Sequence, residues 1–181
     1  MTSSAQVYPR PTSIIAALFP EYRQRACRYA YWMLGNDCDA EEVVQEAFVR
    51  LTQRERNGDL LECESRFAGL LFTTVRNLSI DVLRKRGRRK QVALSSAHEP
   101  VAPHSDESSV DQLQATINQL IEELPENHAE ALKLKISGDL TYEQIAEVLD
   151  CTRAQVRTWI FRARQQLAKK LTELGWLDQY E

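Results

Sequence analysis

The chain has 181 residues, 43% of them hydrophobic, and a formal net charge of −3. This length suits one medium or two small domains, no apolar run approaches the length of a membrane span, and the N-terminus lacks the order of a signal peptide. The four cysteines (Cys27, Cys38, Cys63 and Cys151) lack the spacing of metal ligands. We therefore expect reduced thiols in a cytoplasmic protein, without a metal or another cofactor.

The first strong helical pattern runs from Ile14 to Leu34, where Pro20 is expected to divide or kink it and Gly35 to end it. Residues 1–12 are expected to form a tail. A second helix is predicted from Asp39 to Thr52, with Asp39 and Glu42 as its cap. Its outward face is mostly charged and amide-bearing and consists of Glu41, Glu42, Gln45, Glu46, Val49 and Arg50. No histidine or cysteine joins these carboxylates, so the pattern favours a docking surface or a solvated face over an enzyme or metal site.

A third helix is predicted from Arg66 to Arg86, and it leads into a stretch from Arg84 to Lys90 that is basic at every position except Gly87. Its outward positions are Arg76, Asn77, Asp81, Arg84 and Lys85. Two interpretations fit this pattern. The cations could simply solubilise the end of a helix, or they could hold phosphates while Asn77 and Asp81 hydrogen-bond to the bases of a single strand.

Residues 92–109 contain proline, serine and acids without periodicity, which indicates a flexible, mildly acidic linker. A helix capped by Ser109 is predicted after it. Pro125 then begins another helix, which Gly138 ends. The candidates for the buried side of that helix are Leu132, Leu134 and Ile136.

The stretch from Thr141 to Leu167 predicts a helix-turn-helix. Thr141 with Gln144, and Thr152 with Gln155, have the spacing of capping boxes that begin helices. Asp150 lies between the two helices, at a position where the chain needs a left-handed residue.

Six basic residues and no acid lie between Arg153 and Lys170 in the second of these helices. Its polar face suits the major groove, where arginine pairs with guanine, glutamine pairs with adenine, and an apolar ring touches the methyl group of thymine. The candidate base readers are Arg153, Gln155, Arg157, Thr158, Phe161 and Arg162.

Two separate stretches resemble one family in the same order. DAEEVVQEAF from Asp39 and VRNLSIDVLR from Val75 resemble region 2 of the bacterial extracytoplasmic-function (ECF) sigma factors. LPE from Leu124, together with TYEQIA and FRAR in the helix-turn-helix, resembles their region 4. The resemblance implies an all-α fold of two small helical domains joined by a flexible linker. The implied division is a tail (1–12), region 2 (13–91), the linker (92–109), region 4 (110–175) and a second tail (176–181).

The resemblance also implies roles for the exposed faces. The clamp helices of the RNA polymerase largest subunit are expected to bind Asp39, Glu42, Gln45, Glu46, Val49 and Arg50. The melted −10 strand is expected to bind Arg76, Asn77, Asp81, Arg84 and Lys85, and the −35 duplex the base readers of the second helix. Polymerase supplies the chemistry, so the chain is expected not to be an enzyme, and an anti-sigma factor is an expected partner. Leu70, Asp150 and Trp159 depart from the tryptophan, glycine and basic residue common in the family.

Three alternatives to a sigma factor stay open at this point. A helix-turn-helix repressor or activator would carry a ligand pocket or a dimer surface and would bind DNA without polymerase. A nuclease using Glu41, Glu42 and Glu46 would depend on a divalent metal, and an inactive relative would occupy polymerase without opening DNA. The basic cluster that follows Asn77 and Asp81 argues against the first alternative.

Overall fold

A computed structural model describes residues 13–58, 64–93 and 109–176. All the regular secondary structure in these ranges is α-helical, which confirms the predicted fold class. The helices are α1 (Ile14–Leu34), α2 (Asp37–Arg56), α3 (Glu64–Ala93), α4 (Ser109–Glu122), α5 (Glu126–Ile136), α6 (Tyr142–Val148) and α7 (Arg153–Glu173). The predicted tail at residues 1–12 and most of the predicted linker lie outside the described residues.

Helices α1, α2 and α3 pack on one another around a cluster of aromatic rings. The rings of Tyr22 and Phe67 meet edge-on with their centroids 5.2 Å apart, and those of Tyr29 and Phe72 lie 5.7 Å apart. Such pairs add about 0.5–1.5 kcal/mol each to the free energy of burial. The Tyr22 hydroxyl donates to Glu64 over 2.8 Å. Burial, together with this hydrogen bond, raises the pKa of Tyr22 to about 12.

The ends of α1 and α2 follow local rules, with two corrections to the sequence prediction. Pro20 does not divide α1, which is continuous from Ile14 to Leu34. Gly35 ends it in a left-handed conformation (φ 64°), as predicted. Helix α2 begins two residues earlier than expected, because the side chain of Asn36 accepts from the backbone N–H of Asp39 over 3.0 Å. The cap is therefore Asn36 and not Asp39.

Helix α3 is longer than predicted and runs to Ala93 instead of ending at Arg86. Arginine and lysine are good helix formers, and one interior glycine costs only about 1 kcal/mol relative to alanine, so the basic stretch continues the helix through Gly87. The first two residues assigned to the linker, 92 and 93, are helical as a result.

Helices α4 to α7 form a second group whose core includes Ile121, Leu132, Ile145 and Ile160. Leu134 is buried as predicted, but Ile136 is 51% exposed because it lies in the last turn of α5 and points away from that core. Helix α6 also packs on α3, and α5 touches α1, so the two groups of helices are in contact. Within the described residues, no helix is both long and apolar enough to cross a membrane.

Candidate nucleic-acid and partner interfaces

Two capping boxes position the helix-turn-helix, as the sequence predicted. The Thr141 hydroxyl accepts from the Gln144 N–H, while the Gln144 side chain accepts from the Thr141 N–H over 2.8 Å. Thr152 and Gln155 repeat the arrangement at the start of α7. Asp150 takes the predicted left-handed conformation (φ 50°) between the two helices. The turn is thus fixed by local hydrogen bonds, and the direction of α7 follows from it.

Helix α7 buries Val156, Ile160 and Ala163 and exposes its basic face. All six predicted base readers are exposed, and the ring of Phe161 is 60% exposed. Four of them, Arg153, Arg157, Thr158 and Phe161, line an open groove together with Tyr142 and Arg164, whereas Gln155 and Arg162 do not line it. Arg164 was not among the predicted readers, although its position one turn beyond Phe161 on the same face was the available signal.

Two of the predicted readers are already engaged within the chain. Arg153 pairs with Glu143 of α6, with its Nε 2.8 Å from the carboxylate, and both side chains are largely exposed. The Gln155 Oε1 atom accepts from both the N–H and the hydroxyl of Thr152, over 2.9 and 2.8 Å. Bidentate recognition of adenine requires that same oxygen. Gln155 therefore has only its N–H groups free for DNA while the cap is intact.

The exposed end of α3 carries most of the residues predicted to bind single-stranded DNA. Asn77, Asp81, Arg84 and Lys85 are exposed, and Arg84 lies 3.7 Å from Asp81 in a loose ion pair. Arg88 lines the same shallow depression; it belongs to the predicted basic stretch but not to the set predicted to bind the −10 strand. The side chains of this surface are open to solvent, so a polyanion can approach them with little displacement of protein groups.

Arg86 and Arg76 differ from their exposed neighbours on α3. Arg86 turns back toward the first helices, where it donates to the carbonyl of Leu34 over 2.8 Å and pairs with Asp39. Arg76 was predicted to face outward, but it is half-buried against α5 and holds the carboxylate of Glu130. That hydrogen-bonded contact raises the pKa of Arg76.

The outward face of α2 is arranged as predicted. Its six members from Glu41 to Arg50 are exposed, and Val49 is 49% exposed among charged side chains. Glu46 and Arg50 form an i,i+4 ion pair over 2.7 Å. Asp39 is the exception among the residues predicted to bind polymerase, because it is half-buried and paired with Arg86. In the part of the chain that the structure describes, no group of histidines, cysteines and acids could hold a metal ion.

Comparison with known proteins places both groups of helices in one family. The family model for sigma-70 region 2 matches residues 18–89, and the model for sigma-70, region 4 matches residues 114–167. The ECF RNA polymerase sigma factor SigW of Bacillus subtilis is 30% identical over 165 residues, covering 84% of this chain and 86% of the relative. SigE of Mycolicibacterium smegmatis is 31% identical over 160 residues, covering 86% of this chain and 61% of the relative.

Two solved structures share the fold at low sequence identity. One is the sigma factor RpoE in complex with the anti-sigma factor NepR from Bartonella quintana, which matches 87% of this chain and 94% of its own with a TM-score of 0.62 and 23% identity. The other is CnrH in complex with the cytosolic domain of CnrY, which matches 88% of each chain with a TM-score of 0.62 and 19% identity. The two family-model matches and the 30% identity to SigW establish that the chain belongs to the ECF sigma factors, the transcription initiation factors that direct RNA polymerase to promoters.

Proposed function

We propose that this chain divides the work of a sigma factor between its two groups of helices, residues 13–91 and 110–175. In this proposal the exposed face of α2 binds the clamp helices of the RNA polymerase largest subunit. The exposed end of α3 captures the melted −10 strand, and α7 reads the −35 duplex. Polymerase performs the chemistry, so the chain needs no catalytic residue and acts where polymerase is, in the cytoplasm.

The observation that carries this proposal is the exposed face of α7. This face has no acid and bears Arg157 and Arg162 beside Phe161, which is 60% exposed. Exposure of the apolar ring to water costs free energy, and contact with a thymine methyl group in DNA can offset that cost. The groove beside this face is lined by arginines on one helix, as expected for a recognition helix that follows a capped turn. Among the described residues, Phe161 is the most exposed of the large apolar side chains.

The basic end of α3 supports the second part of the proposal. Asn77 and Asp81 are exposed one helical turn apart, and Arg84, Lys85 and Arg88 follow on the same helix. Amide and carboxylate groups can hydrogen-bond to the edges of unstacked bases, while the cations hold the phosphates. Extruding a base costs a few kcal/mol, which these contacts must offset.

An anti-sigma factor belongs in the proposal as a partner. RpoE was solved with the anti-sigma factor NepR and CnrH with the cytosolic domain of CnrY, and this chain shares the fold of both. A partner of this kind would have to cover at least one of the three exposed faces in order to keep the chain from polymerase or promoter.

Run-off transcription with core polymerase on a promoter library tests the proposal. The wild type should produce transcripts, and the Asn77→Ala, Asp81→Ala double variant should bind polymerase but fail to form open complexes. Lys169→Ala is the matched control for Arg157→Ala, because both remove one exposed cation from α7. Only Arg157→Ala should lose promoter selectivity.

The polymerase surface is tested separately by pull-down with core polymerase. Val49→Asp should abolish capture, whereas Gln53→Asp, one turn along α2 and also exposed, should not. A wild-type chain that protects a promoter without polymerase at physiological salt would instead favour a conventional helix-turn-helix regulator.

A further inference from the structure

The two groups of helices are joined by a partly buried ion pair between α3 and α5. The Nε and Nη2 atoms of Arg76 lie 2.5 and 3.0 Å from the two carboxylate oxygens of Glu130. The side chains are only 27% and 13% exposed. The hydroxyl of Tyr29 from α1 donates to the same carboxylate over 3.4 Å. A forked, partly desolvated pair of this kind is among the stronger polar contacts in proteins.

A second set of contacts crosses the same boundary, between α1 and the end of α5. The Nε of Arg25 donates to the carbonyl of Gly138 over 2.7 Å, and Arg28 donates to that of Ser137 over 3.4 Å. In the reverse direction, Lys133 donates to the carbonyl of Trp32 in the last turn of α1 over 3.3 Å. Each group of helices thus satisfies backbone carbonyls at a helix end of the other, where cations are favoured.

The two groups of helices also approach each other closely at two glycines of this boundary. A Cβ atom at Gly138 would lie 3.0 Å from the ring of Phe72, and one at Gly69 would lie 2.7 Å from the carboxylate of Glu147 in α6. No larger residue fits at either glycine without displacement of a neighbour. At Gly69 the neighbour is the exposed end of a flexible side chain, which can move, so the close fit of this boundary rests on Gly138 and the Phe72 ring.

We propose that this interface is a self-latched, closed state in which Glu130 withholds Arg76 from nucleic acid. This inference rests on the proposed role of Arg76 in binding the −10 strand. Arg76 cannot hold the carboxylate of Glu130 and a nucleic-acid phosphate at once. The exposed −10 residues can bind a single strand in the closed state, but engagement of Arg76 as well requires Glu130 to release it, and polymerase or DNA must supply the energy for release.

The latch acts on one DNA surface and not on the other. The basic face of α7 is exposed in the closed state, with its groove open, so duplex binding does not require release. Single-strand binding is weakened by the fraction of molecules that are open, and a variant that opens the latch should recover this loss. Glu130 is therefore a regulatory residue whose effect is selective for single-stranded DNA.

Two measurements on the purified chain test the latch without polymerase. The first is the radius of gyration by small-angle X-ray scattering. Glu130→Arg, which places two cations together, and Glu130→Gln, which removes the charge, should both increase it. The charge-swapped double variant, Arg76→Glu with Glu130→Arg, should restore the wild-type radius. An unchanged radius in both single variants would overturn the proposal.

The second measurement is fluorescence anisotropy with a labelled mixed-sequence single strand of about 12 nucleotides and with a duplex of the same sequence. We expect Glu130→Arg to bind the single strand about tenfold more tightly, with a much smaller change for the duplex. Glu173→Arg makes the same charge change at an exposed position far along α7 and is the control. Equal gains for the two variants, or equal gains on both probes, would show a charge effect and no latch.

These results are independent of the proposed role in transcription. If the radius of gyration changes with substitution of Glu130 but the chain starts no transcript with polymerase, the latch is supported and the sigma roles of the surfaces are refuted. A chain that initiates normally and shows neither response would retain the sigma function and lose the latch.

Discussion

Gln155 has two possible roles, which are to read a base and to hold the start of α7 in place. The sequence predicts contact with adenine, which requires both the oxygen and the nitrogen of the side-chain amide. In the structure, the oxygen accepts from Thr152 twice, over 2.9 and 2.8 Å. We predict that Gln155 contributes mainly to the stability of the helix-turn-helix and that its loss weakens binding to all −35 sequences alike.

The expected magnitude follows from these two hydrogen bonds. Both lie at an exposed helix start, so Gln155→Ala should cost about 1 kcal/mol of the free energy of unfolding, equivalent to a fall of about 2–4 °C in Tm. Gln155→Glu keeps an acceptor in the capping box and adds a negative charge near the helix N-terminus, so its Tm should match or exceed that of the wild type. The same charge faces the DNA, so promoter binding should fall.

Thermal unfolding by circular dichroism, together with binding to a panel of −35 duplexes in the presence of polymerase, measures both effects. Gln165→Ala is the control, since Gln165 is also exposed on α7 and its loss should change the stability by less than about 0.5 kcal/mol. If Gln155→Ala has the wild-type Tm and alters preference at one base pair only, Gln155 is a reader and the capping argument is wrong.

Three further predictions concern stability. Gly138→Ala should lower the free energy of unfolding by about 1–3 kcal/mol, because the new Cβ atom would lie 2.7 Å from the carbonyl of Leu134. Gly87→Ala, whose Cβ atom would meet open space within α3, should raise it by about 0.5–1 kcal/mol. Urea unfolding of both variants measures these changes. Asp150→Gly should raise the Tm because the left-handed backbone at φ 50° suits glycine better. Burial, and to a smaller extent the positive charge of Arg162, lowers the pKa of His128 below 6.5. As pH falls through 6.5, the unfolded state therefore binds more protons than the folded state, and stability is lost in that range. The Tm of the wild type should therefore fall more than that of His128→Gln between about pH 7.5 and about pH 5.5; an equal fall would contradict the pKa argument.

Features set by near neighbours in the chain could be predicted from the sequence. Both capping boxes, the left-handed Asp150 and the Gly35 helix end are as predicted, because each depends on residues within about four positions. The exposed face of α2 follows equally from helical periodicity. Asn36 carried a usable signal as well, but Asp39 followed by Glu42 offered a competing cap of the same type.

The contacts of Arg76 could not be predicted in the same way. Periodicity places it correctly outside the core of the first three helices, yet its partner Glu130 lies 54 positions further along the chain. No local pattern indicates which surface of one helical group will meet the other. The exposure of Ile136 has a local cause, since it lies two positions after the buried Leu134 and therefore on a different face of α5.

The internal ion pairs suggest an order for the steps of promoter recognition. Arg153 pairs with Glu143 at the surface, where exchanging a carboxylate for a phosphate costs only about 0–1 kcal/mol. Arg76 gives up a partly buried, forked partner, and this exchange is more costly because Glu130 is left in a partly desolvated site. With a net charge of −3, the chain has no overall attraction for DNA that could offset this cost. If α7 and α3 have the roles proposed above, we expect the −35 surface to be available first. We expect full capture of the −10 strand, with Arg76 engaged, only after polymerase has brought the two DNA elements and the two groups of helices into place.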